Sequence, residues 1–302
     1  MPSQQTARRR LLAAVAVAPL AACATPPHDG AAPFNADELA RALALRPVVL
    51  LGEVHDNPVQ HRVRAQAIER LLHGGARPAL AFEQFDRERQ AELDRARAGG
   101  GSVEQRAEAM IEAAGRGGWN WLLYRPFLEL ALRYDLPVVA ANLSRAEAMR
   151  AGRAGSFEPL FDADRQRRLG LDRLPQEFLR RHQQVIDSGH CYTLPPEAQR
   201  RMVYAQVARD VTLLEAIRPH AGRGVVLLTG NGHARNDLGL PVHMTAEERA
   251  RTLTVGLIEA PAPADQAQVA AMRGRFDVAF VTPRHERPDP CEALRRRKAA
   301  GT

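Results

Sequence analysis

Short, unbroken apolar runs recur along the chain, and most are separated by longer stretches whose apolar positions repeat every three or four residues. The runs occupy residues 47–51, 79–82, 137–141, 224–229, 252–258 and 277–281. A run without polar alternation is what a strand covered on both faces requires, so the pattern predicts parallel strands with helices between them. Pro58–His73 spaces Val59, Val63, Ala67 and Leu71 four apart, with Asn57 placed to cap it and Pro58 suited to its first turn. Residues 86–115 and 119–135 are helical in pattern, the first broken by three consecutive glycines at 99–101. Pro196–Ile217 carries an apolar face of Met202, Val203, Val207, Val211 and Leu214. Residues 143–195 are too long for a plain loop and poor in strand formers, which predicts a helical insertion or subdomain. The expected fold is α/β, a central, mostly parallel sheet flanked by helices with that insertion.

The ends of the chain read differently. Arg8, Arg9 and Arg10 precede an apolar run that closes on Leu20-Ala21-Ala22-Cys23. That is the layout of a secretory signal, too short to span a bilayer as a mature helix, and its last four residues resemble a bacterial lipobox. The expectation is a signal peptide at 1–22 and acylation (palmitate among the chains) of Cys23. Arg8-Arg9-Arg10-Leu11-Leu12 also resembles a twin-arginine signal, so Sec and Tat export both stay open. Ala24 stands where an Asp would signal inner-membrane retention, which points to an outer-membrane lipoprotein facing the periplasm. A tether and first helix fill 23–45, the α/β domain 46–285, and a basic tail 286–302.

Net charge is +7, yet the signal carries three arginines without an acid, and Arg295, Arg296, Arg297 and Lys298 crowd into the tail. The body between is neutral, which excludes a nucleic-acid surface and leaves the tail to solvent or anionic lipid. With Cys23 lipidated, Cys191 and Cys291 remain, and in an oxidising compartment the sequence leaves open whether they pair.

Polar residues collect directly after four of the apolar runs: Glu53 and His55, then Glu83, then Asn142, then Gly230-Asn231-Gly232-His233. Ligands of open parallel sheets bind outside the carboxyl ends of the strands, so these residues are expected in one crevice. Two Gly-x-x-His units, at Gly52 and at Gly230, each follow a strand. A glycine there would let the backbone turn sharply and face the imidazole inward.

Several dispersed motifs, in one order, carry a resemblance: Gly52-Glu53-Val54-His55-Asp56-Asn57, Phe82-Glu83-Gln84, Gly189-His190-Cys191, Gln206-Val207-Ala208-Arg209-Asp210, Gly230-Asn231-Gly232-His233, and residues 121–131 with their Tyr-x-Pro. Over roughly 46–260 the chain resembles the ChaN-like haem-binding uptake lipoproteins of the Tiki superfamily, whose relatives include metal-dependent proteases and erythromycin-type esterases. The resemblance implies an α/β fold, haem bound by a homodimer, and ferric iron held by a tyrosine. Where the family has Gly after His-Cys, this chain has Tyr192, so the ligand is Tyr124 or Tyr192. Glu53, His55, Glu83, Arg125, Asn142, His190 and His233 are the other candidates around the porphyrin and its propionates, and an outer-membrane haem receptor is the implied partner. Trp121, Tyr124 and Phe127 share a helical face that would equally suit a core.

Three readings follow. The first is haem capture for iron uptake. The second is hydrolysis, of an ester or a peptide, with His55, Glu83 and His233 as catalytic candidates, either around a divalent metal such as zinc or manganese or with a histidine activating water directly. The third is a structural envelope lipoprotein whose motifs are relics.

Overall fold

In the computed structural model, the described residues are 35–289 except 116 and 261–265, together with 291, 292 and 296. The expected signal segment at 1–22, Cys23 and most of the basic cluster at 295–298 lie outside them. Six strands form one sheet: β1 (Val48–Leu51), β2 (Ala79–Asp86), β3 (Val138–Asn142), β4 (Val225–Leu228), β5 (Thr252–Ala260) and β6 (Val278–Pro283). Every neighbour is parallel, in the order β3-β2-β4-β1-β5-β6. β4 thus lies between β1 and β2, the arrangement in which loops leaving the carboxyl ends diverge and open a crevice.

The apolar runs are explained by what covers them. Val49, Leu51, Leu80, Phe82, Val226 and Leu228 point to one face of the sheet, under α1 (Ala36–Leu43), α2 (Pro58–His73), α3 (Gln90–Ala98), α4 (Val103–Ala113) and α5 (Trp121–Arg133). Val48, Leu50, Ala79, Ala81, Val225 and Leu227 point to the other, against a long helix at Pro196–Ile217. Both sides of each strand are therefore dry, and alternation disappears. Residues 143–195 are helical: α6 (Arg145–Ala154), α7 (Ala163–Arg168) and α8 (Gln176–Gly189) pack on α9 (Pro196–Ile217) around Phe157, Phe161, Leu169 and Phe178. Among the described residues no helix is long and apolar enough to cross a membrane.

Two expectations are corrected. β2 runs four residues past Phe82, with a shift of register against β3, so Glu83 lies within the strand and not after it. In α2 the buried stripe is Gln60, His61, Arg64, Ala67, Ile68 and Leu72, whereas Val59, Val63 and Leu71 lie only part-buried. The helix is turned so that three of its polar residues face the strand ends.

Candidate functional site

α2 begins where the sequence placed it: Asn57 Oδ1 accepts from the backbone N–H groups of Val59 and Gln60. That cap fixes the loop between β1 and α2, which carries Glu53 and His55. The Glu53 carboxylate is buried and pairs with Arg64, whose side chain is wholly enclosed. It also accepts a short hydrogen bond from the Tyr124 hydroxyl and bonds His55 Nδ1 at 2.9 Å. His61 stands 3.6 Å from the same carboxylate and bonds the His55 carbonyl at 3.0 Å. Burial lowers His61 to about 4 and pushes the Tyr124 phenol well above its ordinary value. Burial also brings Arg64 down to about 10, which leaves it a cation at neutral pH. One carboxylate thus orients a tyrosine, an arginine and a histidine, and only His55 reaches out, its side chain 46% exposed and packed edge-on against Trp119 at 4.9 Å.

A second charged group stands across β4. Glu83 Oε2 accepts from the Thr229 hydroxyl at 2.6 Å and from the Gly230 N–H at 2.8 Å. Its other oxygen lies 3.5 Å from His233 Nε2, and His233 Nδ1 is 2.6 Å from Asp210 on α9. Burial opposes a charge on His233, but the carboxylates of Glu83 and Asp210 outweigh it and raise the imidazole to about 10. Burial likewise works against the Glu83 carboxylate, and His233 overcomes it, holding that group far below the usual range. Asp210 is raised to about 6, burial there exceeding the pull of His233. At neutral pH His233 is a cation clamped between two carboxylates.

The glycines of the two Gly-x-x-His units act by close approach and not through a left-handed backbone. Neither Gly52 nor Gly230 has a positive φ. A Cβ on Gly52 would stand 2.5 Å from Asn231 Oδ1 and 2.8 Å from the Val255 carbonyl. One on Gly230 would stand 2.9 Å from His55 Nε2.

Between the two groups opens a cleft of about 540 Å³, lined by Glu53, Val54, His55, Glu83, Trp119, Asn142, Gln206, Arg209 and Gly230–His233. Glu53, His55, Glu83, Asn142 and His233 come together as the sequence predicts, although His55 and His233 lie 178 positions apart. The remaining candidates do not join them. Tyr124 is a core residue beneath the cleft, fully buried with Trp121 and Phe127, its hydroxyl committed to Glu53. Arg125 pairs with Glu108. His190 ends α8, its Nδ1 on the Ile186 carbonyl at 2.7 Å. Tyr192 stands at the foot of α9, where the ten helical steps from Pro196 to Gln206 span ~15 Å.

Tyr192 nevertheless has a defined setting. It is 73% exposed, whereas Tyr134 packs against His73 and Arg77, and Tyr204 against Phe157. Cys191 and Tyr192 both have left-handed backbone, φ 57° and 58°, and Cys191 is bonded to Cys291. The segment leading to Cys291 is anchored beside the His55 loop: Arg287 pairs with Asp56 at 2.8 Å and with Glu259 at 2.6 Å, and Asn57 donates to the Pro283 carbonyl. Cys291 is four positions on from Arg287, at most ~14 Å of chain. Chain connectivity and the disulfide thus link the loop after His55 to the residue before Tyr192.

Arg64, His61, Trp119, Gln206, Arg209 and Asp210 are the site residues that the strand-end rule does not reach, because each comes from a helix or from the turn before α5. Their signal was a charged or polar residue at an inward helical position, as at Arg64 and Asp210.

Whether the chain fits a metal or haem follows from its donors. Among the described residues no group of three or more His, Cys, Asp or Glu is arranged to hold a metal ion, since Glu83, His233 and Asp210 are engaged with one another. For haem, the cleft offers an apolar wall at Trp119 and Val54 and a guanidinium at Arg209, and the chain carries a largely exposed tyrosine outside it, Tyr192; these donors suit a porphyrin better than a divalent ion.

The sequence pattern of the family described as haem-binding uptake, Tiki superfamily, ChaN, matches residues 39–244. No curated protein matches the chain at significant similarity. Among solved structures, ChaN of Campylobacter jejuni, described with cofacially bound haem, superposes with a TM-score of 0.59 at 20% identity, covering 74% of this chain and 85% of its own. A histidine-to-asparagine mutant of the erythromycin esterase EreC, in its open conformation, gives 0.44 at 12% identity, covering 74% and 72%. The type III effector HopBA1 gives 0.42 at 15%, covering 74% and 82%. At these identities the first likeness speaks for the fold.

Proposed function

The chain belongs to the ChaN family of haem-binding uptake proteins in the Tiki superfamily, and we propose that it captures ferric haem with Tyr192 as the residue that holds the iron. One observation carries the reading: of the four tyrosines, all described, Tyr192 is the exposed one, on a backbone fixed by a disulfide and two left-handed residues. A phenolate is a hard anionic donor that favours ferric over ferrous iron, so the cargo would be released on reduction. When bound, the haem supplies the iron to be taken up; the chain supplies the ligand, the apolar wall and the donors of the cleft. We further propose that residues 1–22 are removed, that Cys23 is acylated, and that the protein works at the periplasmic face of the outer membrane as a homodimer receiving haem from an outer-membrane receptor. The test is an absorbance titration with haemin. Wild type should give the spectrum of a high-spin ferric phenolate complex, Tyr192→Phe should lose it, and Tyr124→Phe should keep it. A spectrum unchanged in Tyr192→Phe sinks the assignment of the ligand, and no Soret shift in wild type sinks the haem reading.

A second reading rests on a different observation. Glu53 holds Nδ1 of His55 and leaves Nε2 at the cleft, the orientation in which an imidazole removes a proton from water. The chemistry would be hydrolysis of an ester or amide without a metal. Turnover of a chromogenic ester by wild type, lost in His55→Ala, is the result that would support it, and absence of turnover would end it.

A further inference from the structure

We propose that the cleft is a carboxylate-binding site, with Arg209 as the counter-ion and the amides of Asn142 and Gln206 beside it. The carboxylates that line or underlie the cleft already have cationic partners: Glu53 is met by Arg64, and Glu83 and Asp210 share the one His233 between them. Arg209 lines the same cleft, part-buried, and among the described residues no hydrogen bond or ion pair engages its guanidinium. It feels Asp86 and Asp210 only as neighbouring charges.

Helical spacing aims Arg209 at the opening. Gln206 stands three residues before Arg209 and four before Asp210 on α9, and that face is turned to His233: Asp210 accepts from its Nδ1 at 2.6 Å, and the Gln206 amide lies against the same ring at 3.2 Å. The second pointer is Asn142 at the end of β3. Only 9% of it is exposed, it lines the cleft, and its Oδ1 has no hydrogen-bond partner among the described residues. A buried amide oxygen left bare is costly unless a ligand or water satisfies it. A half-turn of that amide would present its N–H₂ to an anion instead. A guanidinium flanked by amides matches a carboxylate, and Trp119 and Val54 offer an apolar wall for the body that carries it.

That carboxylate has two sources, a haem propionate or a free small acid, and the experiment separates them. The full chain and its Arg209→Gln and Arg209→Lys variants are titrated with haemin, with haemin dimethyl ester and with benzoate, the last read on the indole N–H resonance of Trp119, which lines the cleft in all three. Loss of the guanidinium should weaken the acid form about tenfold or more, with Lys recovering part of it, and should leave the dimethyl ester unaffected. If haemin alone shows the loss, the carboxylate is a propionate; if benzoate alone does, it is a small acid. The proposal falls if Arg209→Gln binds both acids as wild type does, or if neither acid binds wild type. It is separable from the haem reading: haemin bound through Tyr192 with unchanged affinity in Arg209→Gln, and no benzoate shift, would leave that reading standing and end this one.

Discussion

His55 Nε2 lies 2.9 Å from the point that a Cβ on Gly230 would occupy, although the two residues sit on different strand tips. The ring cannot simply withdraw, because Glu53 holds its Nδ1. Gly230→Ala should therefore break the Glu53–His55 hydrogen bond while the sheet stays intact. Overpacking of this kind costs ~1–3 kcal/mol, small enough for the fold to persist. Imidazole ¹⁵N resonances of His55 should lose the signature of a carboxylate-bound Nδ1–H; a spectrum identical to wild type would show that the contact does not exist.

The Glu53–Arg64 pair makes a sharper forecast. Glu53→Gln strands a fully enclosed guanidinium, and breaking a buried pair from one side costs about 3–5 kcal/mol. Glu53→Gln combined with Arg64→Met removes both charges and should recover most of that loss, since replacing a whole buried pair is often near neutral. Denaturant unfolding of the two variants decides it. Equal stability of Glu53→Gln and wild type would mean that water reaches the pair.

These residues also mark what was legible beforehand. The strand tips were readable because a polar residue closing an apolar run has nowhere to go in a parallel sheet except its carboxyl edge; Glu53, Asn142 and His233 obey this, and Glu83 reaches the same crevice from within β2. Arg64 was not readable. Periodicity assigns α2 an apolar face through Val63 and Leu71, and nothing local reveals that the charge of Glu53 rotates the helix by one position. Tyr124 illustrates the opposite error: as an aromatic at helical spacing it fitted both core and ligand, and burial beneath the cleft decides for core. Tyr192 was a candidate only as a departure from the family's Gly-His-Cys motif, and the disulfide beside it joins residues a hundred positions apart, a pairing the sequence left open.

Stability should fall at both ends of the pH range, for opposite reasons. His61, His182 and His243 are buried and lowered to about 4, against 6.5 in an unfolded chain. Between those values the unfolded state binds protons that the native state refuses, so stability present above pH 6.5 is lost as pH falls toward 4. Asp210, raised to about 6, acts the other way over part of that window, one group against three. His233, raised to about 10, stabilises fully below pH 6.5 and loses that contribution as pH rises through 10. Thermal midpoints across pH 4–10 should trace both limbs. His233→Gln should flatten the alkaline limb and leave the acid one, and an alkaline limb that survives the substitution would refute the clamped imidazolium.

The segment from Arg287 to Cys291 links the loop after His55 to the residue before Tyr192, and the disulfide is its far anchor. Closing a loop of 100 residues restricts the unfolded chain by ~4–5 kcal/mol in the chain-entropy account, often less when measured. Thiol counting on unreduced, denatured protein should find neither Cys191 nor Cys291 free. Cys191→Ser with Cys291→Ser should lower the unfolding midpoint and also loosen the left-handed pair at 191 and 192, since nothing else covalent holds that turn. Haemin affinity should then drop by more than the change in folded fraction explains, because the iron ligand loses its fixed position while the cleft keeps its own. Cutting the other anchor supplies the control: Arg287→Gln frees the segment at the His55 loop but leaves the disulfide, and should affect Tyr192 less. If the double serine variant is destabilised yet binds haemin with wild-type affinity once fully folded, the disulfide serves stability alone and has no part in presenting Tyr192.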